Sequence, residues 1–326
     1  MLSPFLLRIR KSRKAKKNNI ITIGGKKHYM LSKIKSYMMP IAMILGILLY
    51  RYVGVLGFIT PYLIAVMLFF TYCNINVKDI RISSLHLWLV FIQVVGSISI
   101  YMILSPINAI VAQGIMICVL APTATSAPVI TGMLGGNIES LTAYSLLCNL
   151  MVILVSPIFF AAIGEVDSSS FIDSVWVIFQ KVSFLLFLPF IFAILLQKLS
   201  PRIHREVRRM KSISFYLWSL ALVIISGKTV QFIVDQKSPD YKVEISIALG
   251  AFIVCVGQFL VGRRLGRIYD NTVAGGQGLG QKNTILAIWM AQTYLNPISS
   301  LGPGAYVLWQ NLVNSYQVWR KRKELN

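Results

Sequence analysis

From residue 37 onward the chain is a succession of apolar runs separated by short polar or basic turns, each run being about 20 residues long, the length that crosses a bilayer. Repetition of such runs points to one fold class, an all-α polytopic membrane protein, because in lipid a spanning helix pairs every backbone N–H and C=O within its own segment. Ten transmembrane helices are predicted, at 37–54, 57–75, 85–104, 107–135, 138–163, 181–199, 214–235, 244–262, 271–295 and 299–319. Composition agrees: 56% of residues are hydrophobic and 13% charged, and the mean hydropathy is +0.68.

The formal net charge of +21 is confined to particular segments and forms no continuous face of the kind that nucleic acid requires. Residues 1–36 hold eleven Lys/Arg and no acid, and further basic segments are Lys78-Asp79-Ile80-Arg81, Lys198 to Lys211, Arg263-Arg264 with Arg267, and Arg320 to Lys323. With ten spans all of these fall on one side, which the positive-inside rule makes the cytoplasm. The opposite side receives neutral turns such as Ser105-Pro106 and Asn296-Pro297, the acidic stretch Glu165, Asp167 and Asp173, and the balanced segment Asp235 to Glu244. The expectation is a multi-pass protein of the plasma membrane (the inner membrane if bacterial), with both termini cytoplasmic and the lipid bilayer as its partner. Residues 1–36 read as a disordered basic tail against anionic lipid, or as an early start with Met30 the true beginning; both readings stay open. The expected order continues with a first five-helix repeat (37–163), a connector with an amphipathic lead-in over 171–180 (164–182), a second repeat (183–320) and a basic C-terminus (321–326).

Cys73, Cys118, Cys148 and Cys255 lie in or at the ends of apolar runs without metal-ligand spacing, and His28, His86 and His204 are scattered. No metal and no cofactor is expected. No paired carboxylates, His-Glu-x-x-His or Ser/His constellation occurs at membrane depth, so the chain does not read as an enzyme.

Two spans are interrupted. Within the fourth, Ala121-Pro122-Thr123-Ala124-Thr125-Ser126-Ala127-Pro128 places two prolines where each removes an N–H and crowds the preceding turn. Within the ninth, Ala274-Gly275-Gly276-Gln277-Gly278-Leu279-Gly280-Gln281-Lys282-Asn283-Thr284 combines helix-weakening glycines with a lysine. Irregular backbone at membrane depth is tolerated where it is buried in protein or lines a cavity, and a charge there marks function. The breaks occupy the fourth position of each group of five spans. Because five is odd, a repeated five-span unit is inserted upside down, the plan of inverted-repeat transporters with discontinuous helices 4 and 9 crossing at the midplane.

These segments resemble the bile acid:sodium symporter family. The first break, followed by Gly135-Gly136-Asn137, is similar to that family's Pro-Gly-Gly-Thr-Ala-Ser-Asn-Val…Gly-Asn segment. The stretch Gly280-Gln281-Lys282-Asn283-Thr284-Ile285-Leu286-Ala287 is similar to its Glu-Val-Gly-Met-Gln-Asn-Ser-Gly-Leu-Ala segment. Pro61-Tyr62-Leu63 with Met67-Leu68-Phe69 resembles the second helix, and Gln93 sits where the third carries a glutamine. The resemblance covers about residues 37–320 and implies ten helices in a panel and a core domain, two crossing helices, and transport of an organic anion.

Departures from the family pattern bear on its ion. Aligned on Leu286-Ala287, the glutamate shared by the family's two sodium sites falls on Gly278, its glutamine on Lys282, and its Ser-Asn pair on Ala127-Pro128. Sodium needs a set of oxygen donors, and an ammonium beside them repels it. The resemblance therefore implies ion-site equivalents at Gln93, Ala127, Pro128, Gly278 and Lys282, with the lysine in the place of a sodium ion. A proton is then the coupling candidate, since a buried amine exchanges one more readily than a solvated amine. Pro128 is also similar to the proline of the related auxin-efflux carriers, which work without sodium. Thr123, Thr125, Ser126, Asn283 and Thr284 are the candidate substrate-binding residues. The functional expectation is a secondary active transporter or facilitator of a small organic anion, working by alternating access and independent of sodium. The alternatives are a sodium-coupled symporter of bile acid type and a non-transporting membrane receptor or scaffold on the same fold.

Overall fold

The computed structural model describes residues 38, 40–75, 80–164, 170–236 and 240–325. The basic tail, Lys78-Asp79, and Glu165 with Asp167 lie outside the described residues. Residue 38 and residues 40–48 are helical, and from residue 50 thirteen α-helices follow, with no strand among the described residues. In chain order they are α1 (Tyr50–Val53), α2 (Thr60–Tyr72), α3 (Ser84–Leu104), α4 (Ala109–Leu120), α5 (Ala127–Met133), α6 (Ile138–Ile163), α7 (Phe171–Leu199), α8 (Pro201–Arg209), α9 (Lys211–Val234), α10 (Tyr241–Ile268), α11 (Thr272–Gly280), α12 (Thr284–Tyr294) and α13 (Leu301–Leu325).

Polar residues at the borders of the apolar runs start these helices. Asn108 accepts the Val111 N–H at 3.0 Å, Asn137 accepts that of Ser140 at 2.9 Å, and Asp240 accepts that of Lys242 at 3.1 Å, each satisfying a donor that a helix N-terminus leaves open. Ser170 caps α7 at Asp173, so the amphipathic lead-in at 171–180 and the sixth predicted span form one continuous helix.

Among the described residues six helical stretches are long and apolar enough to cross a membrane: Tyr50–Tyr72, Ser84–Leu104, Ile138–Ile163, Phe171–Leu199, Ile213–Val234 and Tyr241–Ile268. The first contains a reversal. Gly46 backs onto Val223 and Ser226, Gly54 onto Gln231 and Gly57 onto Lys228, after which Ser214 donates to the Met67 carbonyl at 3.5 Å. The chain thus runs along α9 in one direction up to residue 54 and returns along it from residue 57. The turn between is the 3-10 segment Gly54–Ile59.

The principal core joins α2, α7, α9 and α12 through buried Ile64, Leu68, Ile178, Val182, Leu222 and Leu286. The outward surface is equally apolar: Leu48, Tyr52, Phe184 and Ile253 are each at least 67% exposed. Apolar surface of this extent suits hydrocarbon as the surrounding medium.

The glycines of the ninth span do not break the helix. Gly275, Gly276, Gly278 and Gly280 all lie within α11, and their service is close approach. A Cβ on Gly262 or on Gly275 would overlap the other residue's carbonyl oxygen, and one on Gly276 would meet the Arg263 side chain. This seam of small residues lets α10 and α11 pack backbone to backbone, as small residues do between membrane helices.

Candidate functional site at the helix crossover

The fourth span breaks at the predicted prolines, and the ninth breaks just past its glycines, at the end of the predicted stretch. Between α4 and α5 the chain is extended from Ala121, and between α11 and α12 it is extended at Gln281. Pro122 falls in the gap and Pro128 within the first turn of α5, where its missing N–H costs nothing. The two gaps meet as a short antiparallel bridge between Thr123 and Lys282. Ala124 N–H donates to Gln281 O at 2.9 Å, and Asn283 N–H donates to Pro122 O at 2.7 Å.

A helix that stops inside a protein leaves its last carbonyls without partners, and each has to be paired from elsewhere. At the end of α4 the partners come from three elements: α10, α3 and the gap between α11 and α12. Gln258 of α10 donates to Cys118 O at 3.4 Å, and the Lys282 ammonium donates to Val119 O at 2.8 Å. Gln93 of α3 donates to Leu120 O at 2.6 Å and to Ala121 O at 3.1 Å. Asn283 N–H takes Pro122 O. Five successive carbonyls are accounted for.

The end of α11 is closed in a parallel way. Thr123 donates its hydroxyl to Gly278 O at 3.0 Å, and Tyr306 of α13 donates to Gly280 O at 2.8 Å. Gln258 donates to that tyrosine's oxygen at 3.0 Å, and the Lys282 N–H donates to Gln310 at 2.8 Å. Two glutamine–tyrosine pairs stand at the crossover: the first reaches the end of α4 through its glutamine, and the second reaches α4 through its glutamine and α11 through its tyrosine. Gln93 pairs with Tyr144, whose hydroxyl donates to it at 2.8 Å, and Gln258 pairs with Tyr306.

Lys282 is 1% exposed. The ion pair formed among the described residues, Arg209–Glu206, is elsewhere, so the ammonium is held by the negative end of α4 and by no carboxylate. A cation is favoured at a helix C-terminus. Gln93, 2% exposed, donates twice and also accepts from Tyr144 and from Cys148 at 3.0 Å, so its amide capacity is used in full. It bonds the carbonyls next to that of Lys282, while the lysine itself bonds Val119 O. Gly278 has no room for a side chain, because a Cβ there would stand 2.9 Å from the Tyr144 ring. Ala127 is buried in the cluster with Tyr144 and Leu279, and Pro128 is half-buried.

Of the five candidate substrate residues, Thr123 and Thr284 are buried, Thr125 and Asn283 are half-buried, and Ser126 is exposed. Ser126 accepts from Gln281 at 2.9 Å, and Asn283 caps α12 at Leu286 N–H. Tyr144, Gln258, Tyr306 and Gln310 escaped the sequence reading. An amide inside an apolar span was the available signal for Gln258 and Gln310; the two tyrosines give none, since an aromatic residue in a span is ordinary. Glu139 lies in the first turn of α6, and Lys228 packs on Gly57 with its ammonium 5.6 Å from the Phe232 ring centre.

Among known proteins, the description that matches this chain is that of the SBF-like CPA transporter family, over residues 54–308, which takes in both breaks. No curated protein matches the chain.

Proposed function

We propose, from the premise that the chain belongs to the SBF-like CPA transporter family, that this membrane transporter carries a small carboxylate-bearing organic solute by alternating access without sodium. The observation that carries the reading is the Lys282 ammonium at 2.8 Å from Val119 O, on the open end of a broken helix. A mobile cation at such a place would neutralise the helix end; a tethered one does so permanently. Two neighbouring features support the same view. The Tyr144 ring occupies the space beside Gly278, the position aligned with the family's sodium-binding glutamate, and Gln93 takes the next two carbonyls. Beside Gly278 the ring leaves no room for a side-chain carboxylate, and the amide of Gln93 is already engaged, which supports a site built without sodium.

The proposed architecture is ten spans as two inverted repeats. Its support is the reversal at Gly54–Ile59, the two breaks, and the two glutamine–tyrosine pairs that serve them from α3 with α6 and from α10 with α13. An odd-numbered repeat places these pairs on opposite sides of the crossover. Thr125, Ser126 and Asn283 are the proposed cargo contacts, since they keep access to the outside of the crossover, and the basic segments are placed in the cytoplasm.

The test is an uptake screen of labelled organic acids into proteoliposomes, with sodium and with choline in its place. Uptake that survives the exchange supports the reading, and a strict sodium requirement overturns it. Saturable binding without flux for every compound favours a receptor on the same fold.

A further inference from the structure

Between α11 and α13 runs a seam of amides. Gln310, Asn314 and Gln317 stand four and three residues apart and so share one face of α13. Opposite them on α11 is Gln277, 1% exposed. Its NH2 group donates to Asn314 Oδ1 at 3.0 Å and to Gln317 Oε1 at 3.2 Å. One turn nearer the crossover the Lys282 N–H donates to Gln310 Oε1 at 2.8 Å. The seam thus leads from the crossover toward the end of α13 that carries Arg320 to Lys323.

Polar residues between membrane helices commonly act as glue, and glue engages both ends of an amide. Here each amide engages one. The NH2 groups of Gln310, Asn314 and Gln317 donate to no described residue, and Gln277 Oε1 is buried and accepts from none. Turning over the amides of Gln277, Asn314 and Gln317 exchanges their roles and leaves the Gln277 NH2 unused instead, so no rearrangement within the trio satisfies it. These groups call for a partner that accepts from several NH2 groups and donates to one oxygen, and water does both. Access agrees. Gln310 and Asn314 keep 6% and 5% of their surface open and Gln317 is half-buried, whereas Tyr306 and Val307 on the same helix are sealed. We infer that this seam binds a file of water molecules that enters beside Gln317 and reaches the crossover at Gln310 and the Lys282 peptide. The file brings the aqueous phase to the residue that carries the crossover charge. It does not involve the proposed cargo contacts Thr125, Ser126 and Asn283, and it stands whether or not the crossover transports.

Gln310→Cys, Asn314→Cys and Gln317→Cys test it in the full-length protein in nanodiscs, each alone in a background without reactive native cysteines. The probe is the silver ion, a thiol reagent small enough to follow water, supplied as the nitrate. Thiols that escape it are counted with a maleimide after denaturation. Val307→Cys, buried on the same helix, is the reference. The three seam positions are expected to react at least about tenfold faster than the reference, because a thiol shut away from water stays protonated and inert. The rate falls from position 317 inward to 310. A rate at 310 or at 314 no faster than that of the reference overturns the inference. Gln277→Cys samples the same seam from α11, so the test stands if a substitution on α13 fails to fold. It is expected to react as Asn314→Cys does, and a reference-like rate there also overturns the inference.

Discussion

Lys282 is expensive to bury. Removing an ammonium from water costs several kcal/mol, and one hydrogen bond to Val119 O returns about 1.5–3 kcal/mol. A methionine of similar length leaves that carbonyl unpaired and also relieves the charge, so the two effects oppose. Lys282→Met is therefore expected to express and to unfold within a few degrees of the wild type in detergent; a collapse of the unfolding temperature would show that the lysine is structural. Gln93 is the contrasting case. Gln93→Leu orphans Leu120 O, Ala121 O and the Tyr144 hydroxyl together, a loss of about 3 kcal/mol or more at 1–3 kcal/mol per buried orphan. Thermal unfolding measures it, and an unchanged midpoint contradicts the account. Gly278 offers a third check, because Gly278→Ala pushes on the Tyr144 ring. In a double-mutant cycle Tyr144→Ala absorbs much of that cost, with a coupling of about 0.5–3 kcal/mol; strict additivity would mean that the ring does not set the limit.

At the scale of elements, the positions of the helices were legible. Apolar length predicted 138–163 to the residue and 85–104 to within one residue, because a long run bounded by polar capping residues admits one periodic solution. The prolines located the first break correctly for their stated reason. The glycines misled: their low helix propensity suggested an interruption, yet they lie inside α11 and the break follows them at Gln281 to Asn283. Propensity describes single residues, and it misses the close packing of α11 back onto α10, the helix just before it in the chain. Gly275→Val is expected to wedge α11 from α10 and to cost about 1–3 kcal/mol or more, read as lost thermal stability. A neutral result would show that the seam has slack. The partners that close the broken helices were out of reach of sequence for the same reason. Tyr144 and Tyr306 are recognised only when α6 is seen beside Gln93 and α13 beside the Gly280 carbonyl.

The whole molecule is organised by charge as well as by apolar length. Basic segments alternate with neutral or acidic ones along the chain, and the proposed ten spans would put every basic segment on one side. Impermeant thiol reagents on cells carrying Met210→Cys or Asn296→Cys, in a background without reactive native cysteines, test that arrangement. Labelling from outside is expected at Asn296→Cys and absent at Met210→Cys, and the reverse pattern would invert the proposed topology. Native Cys73, Cys118, Cys148 and Cys255 are all buried, which keeps the background low. Within this frame the crossover joins the two halves, and Lys282 supplies from one half the charge that the other half's broken helix lacks. The most direct measurement is the flux of a labelled carboxylate cargo into proteoliposomes with choline on both sides of the membrane, for the wild type and for Lys282→Met. The account predicts that the wild type transports without sodium and that Lys282→Met, although folded, does not. A wild type that is silent until sodium is added, or a Lys282→Met variant with undiminished flux, would contradict it.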